Sequence, residues 1–447
     1  MSPRGRQGAL HRRAALQRIG LLGAAGAAGC GREQAKTKPR SAAPSPPTAP
    51  ARSAAPGPPP APPSTAPAAA ATAAPAQGPA IHGDTAGTSP IVRGTLLATD
   101  EAVDRAGRSQ TLLTCIDLDA QALIARTFAV PFYGHGYAVD PRDAGRCLIF
   151  EKKGPGCCLV DLRRGQVVAE VAARPGRQFY GHGTFNRDGA FLFCTETYVE
   201  DGSLRGVVAV RDSNTLAWKA DLPSYGASPH DLHLAPDQRH LVVTNGGGTL
   251  ASGTAPNLCW IDLRSHKAVR RLLLSDALVN AGHVALLGDD RAVVVSAPRD
   301  GLEAGATGVH GGIAFWRGEA GDEARLRSAQ GPEVAAMAGE TLSVAIHRGS
   351  RTAVATNPRG HQVSRWDIDG ATALQVATGF REPRGVAFAL DGSELALTCG
   401  EGSALLLLHP LTLQPREGRA IPDCFSGGAH LHVVALDHVR GSGRRRV

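Results

Sequence analysis

Aromatic residues are scarce in this 447-residue chain, which holds 11 Phe, 5 Tyr and 4 Trp. Four tryptophans are too few for a propeller whose blades are docked by a repeated Trp motif around a quinone cofactor. No Cys-x-x-Cys pair occurs among the nine cysteines, which excludes zinc ribbons and thioredoxin-like redox sites. The chain has no Gly-x-Ser-x-Gly elbow and no His-Glu-x-x-His, so the commonest serine-hydrolase and zinc-protease signatures are missing. His310-Gly311-Gly312 resembles an oxyanion-hole segment but has no nucleophile to serve and reads as a turn. No carboxylate cluster of the calcium-holding hydrolase kind is visible. After Cys30 no run is long and apolar enough to cross a membrane as a helix. Helical periodicity is nearly absent as well, which leaves short β-branched runs between Gly, Asp, Pro and Asn turns.

From about residue 41 to 80 Ala, Pro, Ser and Thr dominate, with almost no large apolar side chain. Such a stretch buries too little surface to offset its ordering entropy and reads as a stiff, extended tether. The expected organisation is therefore a signal over 1–30, a disordered tether over 31–90, a folded body over 91–439 and a basic tail over 440–447. The formal charge of +8 is misleading about the body. Residues 1–40 hold nine Lys or Arg against one Glu, and the last eight residues add four Arg. The body has 34 basic and 38 acidic residues, and this slight acidity argues against a nucleic-acid partner.

The N-terminus carries Arg12-Arg13 ahead of a short, Gly/Ala-rich apolar run, Ile19 to Gly29. Paired arginines before such a run resemble a twin-arginine export signal. The run ends Ala27-Ala28-Gly29-Cys30, which resembles a bacterial lipobox and makes Cys30 the expected lipidation site. Two features depart from the pattern: Arg18 interrupts the apolar run and Ala27 stands where Leu is usual. The expected location is the periplasmic or cell-envelope face, with a membrane held through the lipid anchor. Of the other eight cysteines, Cys115, Cys147, Cys194, Cys259 and Cys399 sit in apolar strand runs and read as small buried hydrophobes. The vicinal pair Cys157-Cys158 has no account at this level.

One pattern recurs along the body: a small or His position, an apolar pair, a turn with Asp or Gly, then another apolar run. It starts near residues 135, 182, 231, 283, 343, 385 and 430. Intervals of this size suit four-stranded propeller blades. A strand running into a turn gives a second series, in which Asp117, Asp161, Asp212, Asp262 and Asp367 are placed to bond their own turn backbone. The two series interleave except at the ends. The economical solution is an all-β, seven-bladed β-propeller in which the C-terminal strand completes the first blade and removes the exposed edges.

The first strand of each propeller blade lines a central channel. His135, His182 and His283 fall at nearly equivalent positions there, His230 lies one residue off, and His233 follows. These five are the candidate metal ligands, since neutral imidazoles suit copper, iron or zinc. A structural reading stands beside it, in which the histidines hold turns between blades. The glycines of Gly134-His135-Gly136 and Gly181-His182-Gly183 fit both readings. Glu196, Asn245, His430 and His432 are expected near the same channel mouth.

The segments FYGHGTFNRDGAFLFCTETYVEDG, PHDLHLAPDQRHLVVTNGG, TNPRGHQVSRWD and RGVAFALDG resemble the bacterial family catalogued as domain of unknown function 1513, over roughly residues 93–410. The region from Gly248 to Asn257 is shorter than the family's usual insert, and the lipobox with its tether is a further departure. The resemblance implies a twin-arginine-exported, YVTN-type or quinoprotein-like propeller. It further implies a link to iron-regulated envelope proteins, and it supplies no catalytic residues. Three functions follow as expectations: an iron- or copper-binding accessory protein, a non-catalytic scaffold for an envelope protein partner, or an exported oxidoreductase or hydrolase. Enzyme is the least favoured of the three.

Overall fold

The computed structural model describes residues 92–103, 107–303, 306, 308, 310–321, 324–400, 404–422, 428 and 430–436. The expected signal with Cys30, the tether and the basic tail lie outside the described residues. Strand dominates what is described. Five sheets hold four antiparallel strands each and a sixth holds eight. Four of the five are meanders of consecutive strands, spanning residues 229–273, 284–328, 344–378 and 383–421. In the fifth, the late strand His432–Val434 lies beside Thr95–Val103, followed by Ser109–Asp117 and Ile124–Ala129. The eight-stranded sheet consists of two four-strand meanders, 134–172 and 177–227, joined where Lys152 and Gly154 pair with Tyr180 and Phe179.

Burial follows position within each sheet. Middle strands such as Asn257–Asp262, Ala292–Ser296 and Thr352–Asn357 are buried along their whole length, so both faces meet a neighbouring sheet. The outer strand Gln166–Ala172 alternates exposed with half-buried residues instead. Adjacent sheets share apolar clusters, and Trp260 packs edge-on against Trp316 with ring centres 5.2 Å apart. A further cluster joins Leu96 and Ile116 to Leu405 and Leu407, bringing the first and last sheets together. Arg419 adds hydrogen bonds from the last sheet to the carbonyls of Leu118 and Ala120.

The five turn aspartates do what their spacing predicts. Asp117, Asp161, Asp212 and Asp262 each accept two backbone N–H bonds from the turn that follows, and Asp367 accepts one from Gly370. All seven described cysteines are free and buried. The vicinal pair gains an explanation from strand geometry. Successive side chains on Gly156–Asp161 point to opposite faces. Cys158 therefore joins the cluster of Cys115 and Cys147, while Cys157 joins that of Phe179 and Cys194. Burial pushes all these thiols up, Cys158 to about 12, so they are inert hydrophobes.

Candidate metal centre

A bulge sets the position of three of the histidines. Pairing along the first strand of a unit shifts register between Gly134 and Gly136, between Phe179 and Gly183, and between Pro229 and Leu232. His135, His182 and His230 sit inside those three shifts, where one extra residue, or two between Phe179 and Gly183, re-aims a side chain out of the pleat. Two flanking glycines are required by this crowding. A Cβ on Gly181, whose φ is +109°, would come within 2.4 Å of the His135 ring, and one on Gly136 would come within 2.3 Å of the Gly181 carbonyl. His283 immediately precedes the strand Val284–Leu286, and His430 lies two residues before His432–Val434.

Threonines tie these strands to one another. Thr195 donates to the carbonyls of His182 and His230. Thr244 donates to Gly282, next to His283, and accepts from the Asp231 N–H. Thr99, Thr356 and Thr398 make the equivalent bonds to Gly134, Arg384 and Gly428.

Five imidazoles converge as a result. Ligand atoms of His135, His182, His230 and His283 all lie within 4.8 Å of one another. The His430 ring joins them, 4.0 Å from His135 and 4.1 Å from His283 between ring centres. Two nitrogens bound to one cation at roughly 2.1 Å are about 3.4 Å apart in a tetrahedral site and at most about 4.2 Å apart as a trans pair, so the rings would close on an ion by about an ångström. Two of them have the second nitrogen anchored as metal-bound histidines usually do. His283 Nδ1 donates to the Leu342 carbonyl at 2.7 Å, and His182 Nδ1 lies 3.2 Å from Asp231 Oδ1. The opposite nitrogens, Nε2 of His182, His283 and His430, are buried without a hydrogen-bond partner. His135 Nε2 and His230 Nε2 meet each other at 3.1 Å. Orphaned buried nitrogens are costly, and a cation at their common focus is the group that would satisfy several at once. The donor set thus fits a late first-row transition metal, with every donor a nitrogen.

Electrostatics keep these donors ready. Burial pushes all five imidazoles down, with the neighbouring rings and Lys152 adding to the effect on most of them. His182 falls to about 4 and His283 to about 3, Asp231 partly opposing the fall in each. At neutral pH all five are neutral, the form that binds metal. Lys152 is reached by water yet hemmed in by protein, and burial lowers it to about 8 against the pull of Glu340.

Asp231 and Lys152 are the two residues that spacing did not single out. Asp231 is buried and multiply bonded. It accepts the N–H groups of Leu232 and Val284 at 2.8 and 2.9 Å and meets His233 Nε2 at 3.1 Å besides His182. Burial works against its charge, but His233 and His182 hold its carboxyl well below the usual range. The signal for it lay in the sequence, as the carboxylate inside His230-Asp231-Leu232-His233. Against burial, Asp231 raises His233.

The remaining expected site residues fall in different places. His233 stays outside the cluster, on the far side of Asp231, with its side chain 46% exposed. It lines a cavity of about 260 Å³ together with His432, Asp231 and the rings of His182, His283 and His430. Glu196 and Asn245 do not line this cavity. Glu196 is fully buried in ion pairs with Arg211 and Arg177, because its strand is sandwiched between sheets. Asn245 is also fully buried and donates to the Ser224 carbonyl and to Asn257. His310 stands 3.9 Å from Asp276, away from the cluster.

Residues 128–421 match the family described as "Protein of unknown function (DUF1513)". No curated protein sequence matches the chain. Among solved structures, hydrazine synthase from Kuenenia stuttgartiensis is similar in fold, with a TM-score of 0.53 at 14% identity. The alignment covers 68% of this chain and 90% of that one. Likeness at that identity speaks for the fold alone, an all-β, propeller-like arrangement.

Proposed function

We propose for this chain, which belongs to the DUF1513 family, the role of a transition-metal-binding protein, with iron or copper as the cargo or resident ion. The observation that carries the reading is the convergence of five buried imidazoles, three of them with an unpartnered Nε2. His135, His182, His230, His283 and His430 would hold the ion, and Asp231 would orient His182. An all-nitrogen set ranks divalent ions in the order iron, then zinc, then copper as the tightest, so copper is the favoured occupant at equal supply. The ring is proposed to have seven blades closed by the C-terminal strand. The pairing of Thr95–Leu97 with His432–Val434 supports that, as does the Thr398 bond to Gly428. Export by the twin-arginine route and a lipid anchor at Cys30, which would set the protein on a membrane beside an envelope partner, complete the proposal.

The test is elemental analysis of protein exported through its own signal, beside a variant with His135, His182 and His283 changed to Ala. Near-stoichiometric copper, iron or zinc in the first, and none in a variant with unchanged far-ultraviolet circular dichroism, is the expected result. A wild-type protein that takes up no metal even after loading sinks the reading and leaves a histidine-lined interaction scaffold.

A further inference from the structure

The two sides of the histidine cluster differ. On one side lies the cavity of about 260 Å³, roughly the volume of eight water molecules in the liquid and so room for an ion with its first shell of water. His182, His283 and His430 line it, whereas His135 and His230 do not. It reaches solvent at His233, which is part of its lining and has a side chain 46% exposed. Among the described residues no Lys or Arg lines it, and its one carboxylate is Asp231. On the other side is Lys152, which pairs along the strand with Tyr180, whose ring packs against His230 with centres 5.7 Å apart. Neither Lys152 nor Tyr180 lines the cavity. Lys153 and Arg384 stand close enough to act on Lys152, against the pull of Glu340.

A buried set of donors exchanges its ion with water by some path, and charge selects between these two sides. A cation approaching past Lys152 meets a positive group, while one in the cavity meets the Asp231 carboxylate. The proton that Asp231 favours on His233 can leave to water as an ion arrives, since that ring is half exposed. Asp231 spends both oxygens on His182, His233 and two N–H groups, so it attracts an ion without offering it a ligand position. The last step into the cluster needs a moving ring, because the Nε2 atoms of His182, His283 and His430 are buried. His182 and His283 are each tied at Nδ1, to Asp231 and to the Leu342 carbonyl. His430 lies outside any strand, and its ring makes no hydrogen bond among the described residues. We propose that the cavity is the route by which a hydrated divalent cation enters and leaves the cluster, with His430 as the ring that turns to admit it. The inference rests on the metal-binding reading above and adds exchange to it, the property of a carrier rather than of a sealed structural site.

Cobalt(II) is the probe, a soluble aqua ion at neutral pH whose visible absorbance grows when imidazoles replace its water. Loading of metal-free full-length protein is followed by stopped flow. Two variants alter the cavity without touching a ligand: Val344→Phe narrows it, and Thr184→Lys places a cation in its wall. Both are expected to keep the wild-type cobalt stoichiometry while their loading rate constants fall about tenfold, the fall in Thr184→Lys shrinking as salt is added. Wild-type loading rates in both variants would overturn the route. A slowed Val344→Phe beside an unaffected Thr184→Lys would keep the route and overturn its selection by charge. Lost stoichiometry in both would also count against the route, since cavity and cluster would then be one site. His430→Ala tests the moving ring, because it should load faster than wild type although it binds the ion more weakly. Loading no faster than wild type would overturn that role and leave the route standing. A wild-type protein that takes up no cobalt would remove the metal-binding reading itself, an outcome distinct from slow or unchanged loading.

Discussion

Asp231 is the residue on which the histidine cluster depends most without belonging to it. Its two oxygens hold His182, His233 and the N–H beside His283, so one carboxylate fixes parts of two adjacent units. Asp231→Asn keeps the shape and some of the bonds but loses the charge and the paired acceptors. Metal affinity is expected to fall by about 10- to 100-fold, the usual effect of removing a carboxylate behind a metal-bound histidine. Competition titration against a chromophoric chelator measures it, and an unchanged affinity would show that His182 needs no orienting partner. At this scale the sequence was partly legible. His135, His182, His230 and His283 stand out because they recur at one position of a repeat. His430 followed the same rule yet read only as a channel-mouth residue, because the strand that follows it, His432–Val434, pairs more than 330 positions earlier in the chain, with Thr95–Leu97. Asp231 was hidden because it appears once, and a single carboxylate has no period.

At the scale of the strand, the bulge is the device that matters. A regular first strand would alternate its side chains between the two faces of its sheet, each of which meets a neighbouring sheet. The irregularities around 135, 182 and 230 instead tip a ring out of the pleat toward the other imidazoles, and neighbouring glycines make room for it. Gly181 has a backbone that other residues adopt only with strain, and its missing Cβ is the space in which the His135 ring lies. Gly181→Ala is expected to cost on the order of 1–3 kcal/mol through backbone strain, with a further loss from the displaced ring. The melting temperature and the metal affinity should fall together, as two independent measurements on one variant. A variant that melts lower but binds metal as before would mean that the bulge shapes the fold and not the site. Hydrophobic alternation and turn aspartates exposed the strands in the sequence, since each is a local pattern. The bulges were not legible, because one extra residue leaves the composition of a strand unchanged. Their trace was the displacement of His230 by one position from its equivalents.

For the molecule as a whole, the decisive quantity is the difference in proton binding between the unfolded chain and the buried histidines. Six imidazoles, His135, His182, His230, His283, His430 and His432, are held below their ordinary value in the folded protein, burial being the largest cause for each. Their folded values lie near 4 for His182 and His432 and near 3 for His283, against about 6.5 when unfolded. Between those limits the unfolded chain binds more protons, so stability rises with pH through the window. It is fully present above about pH 6.5 and is lost as the pH falls toward the folded values. Each such group can contribute up to about 1.4 kcal/mol per pH unit inside the window. Six acting together would therefore exhaust the stability of an ordinary domain within one or two units. His233 acts in the opposite sense, since its value is raised, but it is one group against six. Metal-free protein is thus expected to show a steep fall in melting temperature between about pH 6.5 and 5. A bound cation competes with protons for the same nitrogens, so metal-loaded protein should hold its melting temperature to a lower pH. Differential scanning calorimetry of chelator-treated and metal-loaded samples at half-unit steps tests both statements. A metal-free protein with a flat profile down to pH 5 would mean that the rings leave the cluster when protonated at little cost. Coincident profiles for the two samples would mean that the cation and the protons do not share a site.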